Sequence, residues 1–289
     1  MFSARTQDGS IGLQNVLQKA KQLKDRAYPY LQKVALETGL LPAGDRYTRF
    51  IILGRSRVGT NFLRGLLNSH NQVRVFGEVF QNKEQIAWAL PGYRQSGSDL
   101  QLFRQQPVRF LEKKVFHKFP AQITAVGFKI FYYHARDPEW APLWQYLQEQ
   151  EALKVIHVKR RNILETHLSR QRAIRTDNWV NTTGERTHNG ALALSFEECL
   201  KDFEQTRCWE EEHDAFFAAH DAIDVIYEEL AADRATVMQQ VQSFLGLAHQ
   251  ELAPETYKQS HAPLSAAIAN FDELRERFAG TPWAPFFAD

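Results

Sequence analysis

The sequence predicts an α/β protein in which a central parallel sheet is flanked by helices and carries helical insertions. Short apolar runs of strand length alternate with amphipathic helical segments along most of the chain. Strands that are separated by helices pair in parallel and are covered on both faces. In addition, residues 50–69 join an apolar run, a glycine-flanked polar loop and an amphipathic segment, which predicts strand, loop and helix in succession.

The composition fits one large domain with insertions. Of the 289 residues, 44% are hydrophobic and 24% are charged, which is typical of globular proteins. We expect a helical lead-in at residues 1–46 and the main domain at residues 47–289. Breaks rich in glycine, proline and serine or asparagine mark two insertions, at residues 82–120 and 176–194. Because long loops beside a site are often lids or specificity elements, we expect both on the substrate side.

The first half of the chain supplies the lead-in, the first helix and two further strands. Residues 11–37 predict two helical pieces, which either pack on the domain or mediate self-association into a homo-oligomer. The helix after the polar loop has four apolar residues at helical spacing, namely Phe62, Leu63, Leu66 and Leu67. Residues 73–76 and 123–131 then follow as strands.

The second half repeats the alternation of strands and helices. Asn162 is a good N-cap, with Glu165 three positions later, so a helix should begin there. The aromatic end of the tail should dock on the domain. The remaining predicted elements are a helix at 138–150, a strand at 153–158, a helix at 195–219, a strand at 223–227 and a helix at 234–245.

Charge, apolar runs and cysteines exclude several classes of protein. The net charge is +1 and the isoelectric point is near 7.8, so no nucleic-acid partner is expected. No run approaches the length of a membrane span, and the N-terminus lacks a signal-peptide core, so we expect a cytoplasmic protein. Cys199 and Cys208 lie nine positions apart in one predicted helix, where they cannot pair. No cluster has the spacing of a metal site.

The polar loop predicts an anion-binding cradle. Gly54 and Gly59 have the spacing of a nucleotide-binding P-loop, which makes the predicted sheet P-loop-like. The lysine and hydroxyl residue that should follow are replaced by Thr60 and Asn61, while Arg55 and Arg57 bring positive charge into the loop. Because the hydroxyl residue holds Mg²⁺ in P-loop enzymes, we predict a cradle that works without metal. The alternative is an ordinary strand-to-helix turn with solvated arginines.

Two charged residues outside the loop are candidates for chemistry. Glu78 follows the strand at 73–76, at the end where open α/β sheets bind ligands, and its carboxylate suits a general base. The alternative for Glu78 is a cap of the next segment, and the rival bases are His70, His117 and His134. Lys129 lies inside an apolar strand and therefore needs an anionic partner, either a bound anion or a structural salt bridge.

Three segments together resemble the sulfotransferases that use 3′-phosphoadenosine 5′-phosphosulfate (PAPS). Residues 57–62, Arg-Val-Gly-Thr-Asn-Phe, are similar to the 5′-phosphosulfate loop of that family, in which Asn61 replaces the usual serine or threonine. Arg161 and Ser169 are similar to its 3′-phosphate motif. Residues 224–230 and 243–246 resemble its last strand and closing helix. The resemblance covers about residues 47–250 and points most closely to the bacterial and carbohydrate-directed branches.

The resemblance implies a role for each candidate residue. Arg57 would place its cation on the phosphosulfate, and Arg55 would either share this task or face solvent. Arg161 and Ser169 would hold the 3′-phosphate, with Lys159 or Arg160 as solvated neighbours. Carbohydrate-directed members use a glutamate in a place comparable to Glu78. The loop residues implied to bind the donor are Val58, Gly59, Thr60, Asn61 and Phe62.

The predicted reaction is in-line, metal-independent transfer of the sulfuryl group of PAPS to an acceptor hydroxyl, with adenosine 3′,5′-bisphosphate as product. The resemblance implies a glycan or glycolipid acceptor, and Tyr132, Tyr133 and Trp179 either stack on a ligand or belong to the core. Two alternatives stay open. One is a P-loop kinase for small molecules, and the other is a nucleotide- or sulfate-binding module without catalysis.

Overall fold

The computed structural model describes residues 42–179, 190–254 and 262–288. The helical pieces predicted between residues 11 and 37, and most of the predicted insertion at 176–194, lie outside the described residues.

Five strands form the predicted parallel sheet, in the order β3-β5-β2-β6-β7. In chain order the strands are β1 (Ala43–Gly44), β2 (Thr48–Gly54), β3 (Val73–Phe76), β4 (Phe119–Pro120), β5 (Ala125–Phe131), β6 (Lys154–Lys159) and β7 (Ala222–Ile226). The short strands β1 and β4 form a separate antiparallel pair. In the sheet, Ile52 of β2 stands opposite Lys129 of β5 on one side and Ile156 of β6 on the other.

Helices cover the sheet, as the alternating pattern predicts. They are α1 (Thr60–Ser69), α2 (Gly97–Gln105), α3 (Pro107–Phe110), α4 (Ala141–Glu149), α5 (Ile163–Thr176), α6 (Phe196–Phe216), α7 (Tyr227–Ala232), α8 (Arg234–Phe244), α9 (Leu264–Ala267) and α10 (Phe271–Arg277). A π-helical turn at Leu111–Val115 and 3₁₀ turns at Pro138–Trp140 and Ala284–Phe287 complete the helical structure of the described ranges. The predicted N-cap is confirmed, because the Asn162 side chain accepts a hydrogen bond from the Glu165 N–H at 3.4 Å.

The apolar residues of β2 alternate between two cores. Ile51 and Leu53 face a cluster that includes aromatic residues of the 82–120 segment, whereas Phe50 and Ile52 face a cluster built with α1 and α8. This alternation is what a strand buried on both faces requires, because successive side chains point to opposite faces. Helices α1 and α8 therefore pack on one face of the sheet, and the 82–120 segment and α4 pack on the other.

A third apolar cluster joins α5 and α6 to the tail. Phe203 of α6 lies 5.4 Å from Phe278 and 5.1 Å from Phe286 between ring centroids, and Phe287 is buried in the same cluster. The predicted docking of the aromatic tail is thus confirmed.

The predicted strand at 223–227 ends one residue early. Tyr227 instead begins α7, and its ring lies under the guanidinium of Arg160 at 4.6 Å. Cys199 and Cys208 are free. None of the helices in the described ranges is long and apolar enough to cross a membrane.

Candidate active site

The predicted site residues lie at the carboxyl end of the sheet. The loop at residues 55–59 follows β2, Glu78 follows β3, Lys129 lies in the second half of β5, and Arg160 and Arg161 follow β6. These strands are neighbours in a parallel sheet, so the segments that leave them meet at one edge, where open α/β sheets bind their ligands.

The loop between β2 and α1 has a conformation suited to an anion. Arg57 and Gly59 adopt left-handed backbone angles, with φ of 72° and 96°. A Cβ atom at Gly59 would lie 2.3 Å from a ring carbon of Tyr227, so only glycine fits beside that ring. Helix α1 starts at Thr60, and no side chain among the described residues caps its first turn. The N–H groups of that turn have no partner within the helix and carry the positive end of its dipole.

Arg57 connects the two predicted donor-binding segments. Its Nε donates to the Oγ of Ser169 at 2.9 Å, although the two residues are 112 positions apart. Its Nη1 donates to the backbone carbonyl of Trp179. Burial, and next the charge of Arg160, lower the pKa of Arg57, which still leaves a guanidinium charged. The loop cation and the hydroxyl predicted for the 3′-phosphate therefore belong to one local structure.

Arg55 is an anchor of the loop. Its side chain is buried, with one nitrogen donating to Asp202 at 2.9 Å and another donating to Thr206. Asp202 also accepts from Arg170 at 2.6 Å and contacts His167 at 3.0 Å. The alternative that Arg55 faces solvent is therefore wrong. Arg55 is thus held by α6 rather than solvated.

Lys129 lies between the loop helix and Glu78. The lysine side chain is 1% exposed, and its Nζ donates to Asn61 Oδ1 at 2.6 Å and to Glu78 Oε1 at 2.8 Å. Burial lowers the pKa of Lys129, while the nearby Glu78 carboxylate acts in the opposite direction. The salt bridge with Glu78 thus supplies the anionic partner that a lysine inside an apolar strand needs.

Glu78 is 22% exposed and faces His134 as well as Lys129. The Nε2 of His134 is 3.9 Å from Glu78 Oε2, and its Nδ1 accepts a hydrogen bond from the Phe131 N–H at 3.2 Å. Burial lowers the pKa of His134 to about 4, so the ring is neutral near pH 7. A neutral ring whose Nδ1 accepts must carry its proton on Nε2, and that nitrogen therefore cannot take a proton from an acceptor.

The two other rival histidines have structural partners. The Nδ1 of His70 accepts from the Gln72 N–H at 3.1 Å, and its Nε2 lies 3.1 Å from the carbonyl of Ala248. The ring of His117 contacts the Tyr93 hydroxyl and the Lys118 carbonyl, both at 2.6 Å. These contacts favour Glu78 over the histidines as the base.

The segment after β6 contains one exposed and one buried arginine. Arg161 is 61% exposed and pairs with Glu229. Arg160 is buried, pairs with Glu165 and donates to the carbonyl of Arg57 at 3.3 Å. The expectation that Arg160 or Lys159 is merely solvated is therefore wrong.

Lys159 lies beside a cluster of potential metal ligands. Within the described part of the chain, His157, Asp214 and Asp224 offer ligand atoms that lie within 4.8 Å of one another. The Nζ of Lys159 lies 2.8 Å from a carboxylate oxygen of each aspartate. The lysine thus already balances charge at the place where a cation would bind.

The three candidate stacking residues differ in exposure. Tyr132 is part of the core, and its hydroxyl lies 2.6 Å from Nε2 of His157. Tyr133 and Trp179 are 41% and 42% exposed, and both adjoin the loop. The Tyr133 hydroxyl accepts from the Ser56 N–H at 3.2 Å, whereas Trp179 accepts from Arg57 through its carbonyl. Of these three candidates, Tyr133 and Trp179 are the rings that a ligand could reach.

The sequence did not predict the contacts that Asp202, Arg160 and Tyr227 make with the loop. All three act through contacts with residues of the loop or its neighbours that are far away in the sequence. No local spacing identifies such partners.

Comparison with known proteins decides the family. The family model described as "Sulfotransferase family" matches residues 49–251, about the segment that carries the predicted resemblance. The chain belongs to the sulfotransferase family. This membership confirms the predicted family and argues against the alternative of a small-molecule kinase.

Relatives of this sulfotransferase match over most of its length. Nodulation protein H of Rhizobium tropici is 29% identical over 245 residues, which is 82% of this chain and 92% of the relative. Nodulation protein H of Rhizobium meliloti (strain 1021) is 31% identical over 250 residues, again 82% of this chain and 94% of the relative. A sulfotransferase from Alicyclobacillus acidocaldarius has 18% identity and a TM-score of 0.47, covering 83% of this chain and 92% of that structure.

Proposed function

We propose that this sulfotransferase moves the sulfuryl group of PAPS to a hydroxyl of a glycan or glycolipid, with Glu78 as general base. The observation that carries the proposal is the pairing of Glu78 with buried Lys129 at 2.8 Å, beside the N-terminus of α1. A carboxylate, a cation and a set of backbone N–H donors are thereby placed at one edge of the sheet. Acyl- and group-transfer sites use the same three components for proton removal and charge stabilisation.

The donor side is formed by residues after β2 and β6. We assign the 5′-phosphosulfate to Arg57 and to the N–H groups of the α1 start, including Gly59, Thr60 and Asn61. Val58 and Phe62 flank that cradle, and Arg55 anchors it to α6 through its hydrogen bond to Asp202. We assign the 3′-phosphate to Arg161 and Ser169. Arg57 already contacts Ser169, which fits one donor spanning both groups.

The transfer itself needs a base and stabilisation of a leaving phosphate. As the acceptor oxygen attacks sulfur, its proton passes to the Glu78 carboxylate, and the bond from sulfur to the bridging oxygen of the donor breaks. Arg57 and the backbone N–H groups stabilise the charge that develops on the departing phosphate. The transferring sulfuryl group carries less negative charge than a phosphoryl group, so these donors suffice without Mg²⁺. Asn61 also stands where a P-loop enzyme would place its metal-binding hydroxyl.

Two exposed rings support a carbohydrate acceptor. Tyr133 and Trp179 adjoin the loop, and they are two of the three large apolar residues exposed in the described ranges, the third being Ile174. Exposed apolar groups gathered at a polar centre mark binding sites. A sugar ring, with apolar faces and a polar rim, suits such a surface. Replacing either ring by alanine should raise the KM for a glycan acceptor without changing donor affinity, whereas Ile174→Ala should change neither.

The test of the proposal combines binding with turnover. Adenosine 3′,5′-bisphosphate should raise the melting temperature without Mg²⁺, and ATP with Mg²⁺ should not do better. Glu78→Gln should lower sulfuryl transfer from labelled PAPS by about 10²–10⁴ and leave bisphosphate binding intact. The matched control is Glu151→Gln, which changes an exposed glutamate in the turn between α4 and β6. Stabilisation only by ATP with Mg²⁺ would refute the proposal, and full activity of Glu78→Gln would refute the base.

A further inference from the structure

The side chain of Asn61 has a defined orientation at the start of α1. Its Oδ1 lies 2.6 Å from Nζ of Lys129. An ammonium has three N–H donors and no acceptor, so the amide oxygen, and not the amide nitrogen, must face the lysine. The amide oxygen of Asn61 therefore accepts from Lys129, and the amide N–H groups point away from the lysine.

We propose that Asn61 is a positioning residue that holds the Lys129 ammonium between the donor cradle and Glu78. This inference rests on the proposed function and assigns the asparagine side chain a task different from binding donor phosphate. The lysine is buried, so its ammonium needs hydrogen-bond acceptors in place of water. Glu78 supplies one acceptor and Asn61 supplies a second.

An asparagine is better suited to this task than the residues that could replace it. A serine or threonine hydroxyl is attached directly to Cβ, one bond closer to the backbone than Oδ1, and so cannot reach the same point. An aspartate reaches it, but adds a second carboxylate next to Lys129. The two carboxylates would then outweigh the single positive charge of the lysine, and the extra negative charge would repel an anionic donor. The neutral amide fixes the ammonium and leaves the charge balance of the Lys129–Glu78 pair unchanged.

The two possible roles of the Asn61 side chain predict different effects when that side chain is removed. If the side chain positions Lys129, its removal slows the transfer step and leaves the binding of adenosine 3′,5′-bisphosphate intact. If the side chain binds the donor, removal weakens bisphosphate binding by the same factor as it lowers kcat/KM. The two roles therefore differ in the split between turnover and affinity.

The experiment compares Asn61→Ala, Asn61→Ser, Lys129→Met and the double variant Asn61→Ala with Lys129→Met. We expect Asn61→Ala and Asn61→Ser to lower kcat by about 10-fold to 100-fold, the effect of losing a hydrogen bond to a charged group. Bisphosphate affinity should stay within about 2-fold of wild type. The double variant should be no slower than Lys129→Met alone, because residues that act through one contact are not additive. Asn71→Ala, an exposed asparagine in the turn after α1, is the control and should match wild type.

Several results would overturn the inference. Parallel losses of bisphosphate affinity and kcat/KM in Asn61→Ala would make Asn61 a donor ligand. Additive losses in the double variant would show that Asn61 does not act through Lys129. If Asn61→Ala fails to fold, Asn61→Ser carries the same comparison. A wild-type protein that neither binds bisphosphate nor transfers sulfuryl groups would instead refute the proposed function, and the role of Asn61 with it.

Discussion

The two halves of the candidate donor site each contain a pair of arginines with opposite surroundings. After β2, Arg55 is buried against α6, while Arg57 reaches across to Ser169. After β6, Arg160 is buried against Tyr227 and Glu165, while Arg161 is exposed and pairs with Glu229. In each half, one arginine is buried against other segments and the other is the ligand that we propose for the donor.

The two candidate ligands differ in how far they are already in place. Arg57 is held by Ser169 and by the Trp179 carbonyl, so its side chain already has a fixed position for the donor we propose. Arg161, as the proposed ligand of the 3′-phosphate, would have to exchange the Glu229 carboxylate for a phosphate. Preorganised groups contribute more to catalysis than groups that reorganise, and we therefore expect larger effects from the 5′ half.

The strongest test of the anchors is Asp202→Asn. This change leaves Arg55 buried without its carboxylate, which should lower the free energy of unfolding by about 3–5 kcal/mol. Urea unfolding measures the loss. The matched control is Asp272→Asn, which removes an exposed partner of Arg275 and should cost less than about 1 kcal/mol. Equal stability of the two variants would mean that Arg55 is not an anchor.

Arg57→Ala should show the opposite profile. We expect kcat to fall by about 10²–10³, as when one donor to a developing oxyanion is removed, with little change in urea unfolding. Arg57→Lys should recover part of the loss, because it keeps the charge but not the fork of donors. Arg46→Ala, at an exposed arginine just before the amino end of β2, is the control. A loss of stability without a loss of turnover would make Arg57 an anchor like Arg55.

This contrast also shows how far the sequence alone reaches. The strands and helices follow from patterns within a few residues, such as the apolar run of β2 and the Asn162 cap. The loop is predictable because Gly54 and Gly59, which mark it, lie only five positions apart. Arg55 and Arg57, however, lie in the same short loop, and their contacts depend on partners that lie 147 and 112 positions away.

The same limit explains the other misjudged residues. Lys159 is the last residue of β6 and Arg160 follows it, where polar side chains at a strand end are expected to be solvated. Here both meet carboxylates from distant segments, Asp214 and Asp224 for Lys159 and Glu228 for Arg160. Such pairs arise only when the segments pack, so no window of the sequence contains them.

Acid should destabilise the folded protein through two buried histidines, His134 and His157. Burial lowers the pKa of His134, beside Glu78 and Lys129, and of His157, beside Asp214, Asp224 and Lys159, to about 4 in each case. Unfolded histidine titrates near 6.5. Between pH 6.5 and 4 the unfolded chain therefore binds more protons, and stability falls as the pH falls, by up to about 3 kcal/mol per histidine.

Melting curves between pH 7.5 and 4 test this expectation. His157→Gln, in β6, removes one of the two buried histidines. The loss of stability between pH 6.5 and 4 should therefore be smaller in this variant than in wild type. His249→Gln, which changes an exposed histidine after α8, should leave the slope unchanged. A slope that is the same in wild type and His157→Gln would assign the acid sensitivity to other groups.

Arg161→Ala should have the smallest effect of the four changes. Loss of a charge-assisted contact should weaken adenosine 3′,5′-bisphosphate binding by about 1–3 kcal/mol, near the lower limit because wild-type Arg161 must first leave Glu229. Calorimetry measures the change, with Arg234→Ala, at an exposed arginine of α8, as control. Glu229→Gln should tighten binding, since it removes the competing carboxylate. If Arg161→Ala binds as wild type does and Glu229→Gln has no effect, Arg161 is not part of the site and the 3′-phosphate must be held by another residue.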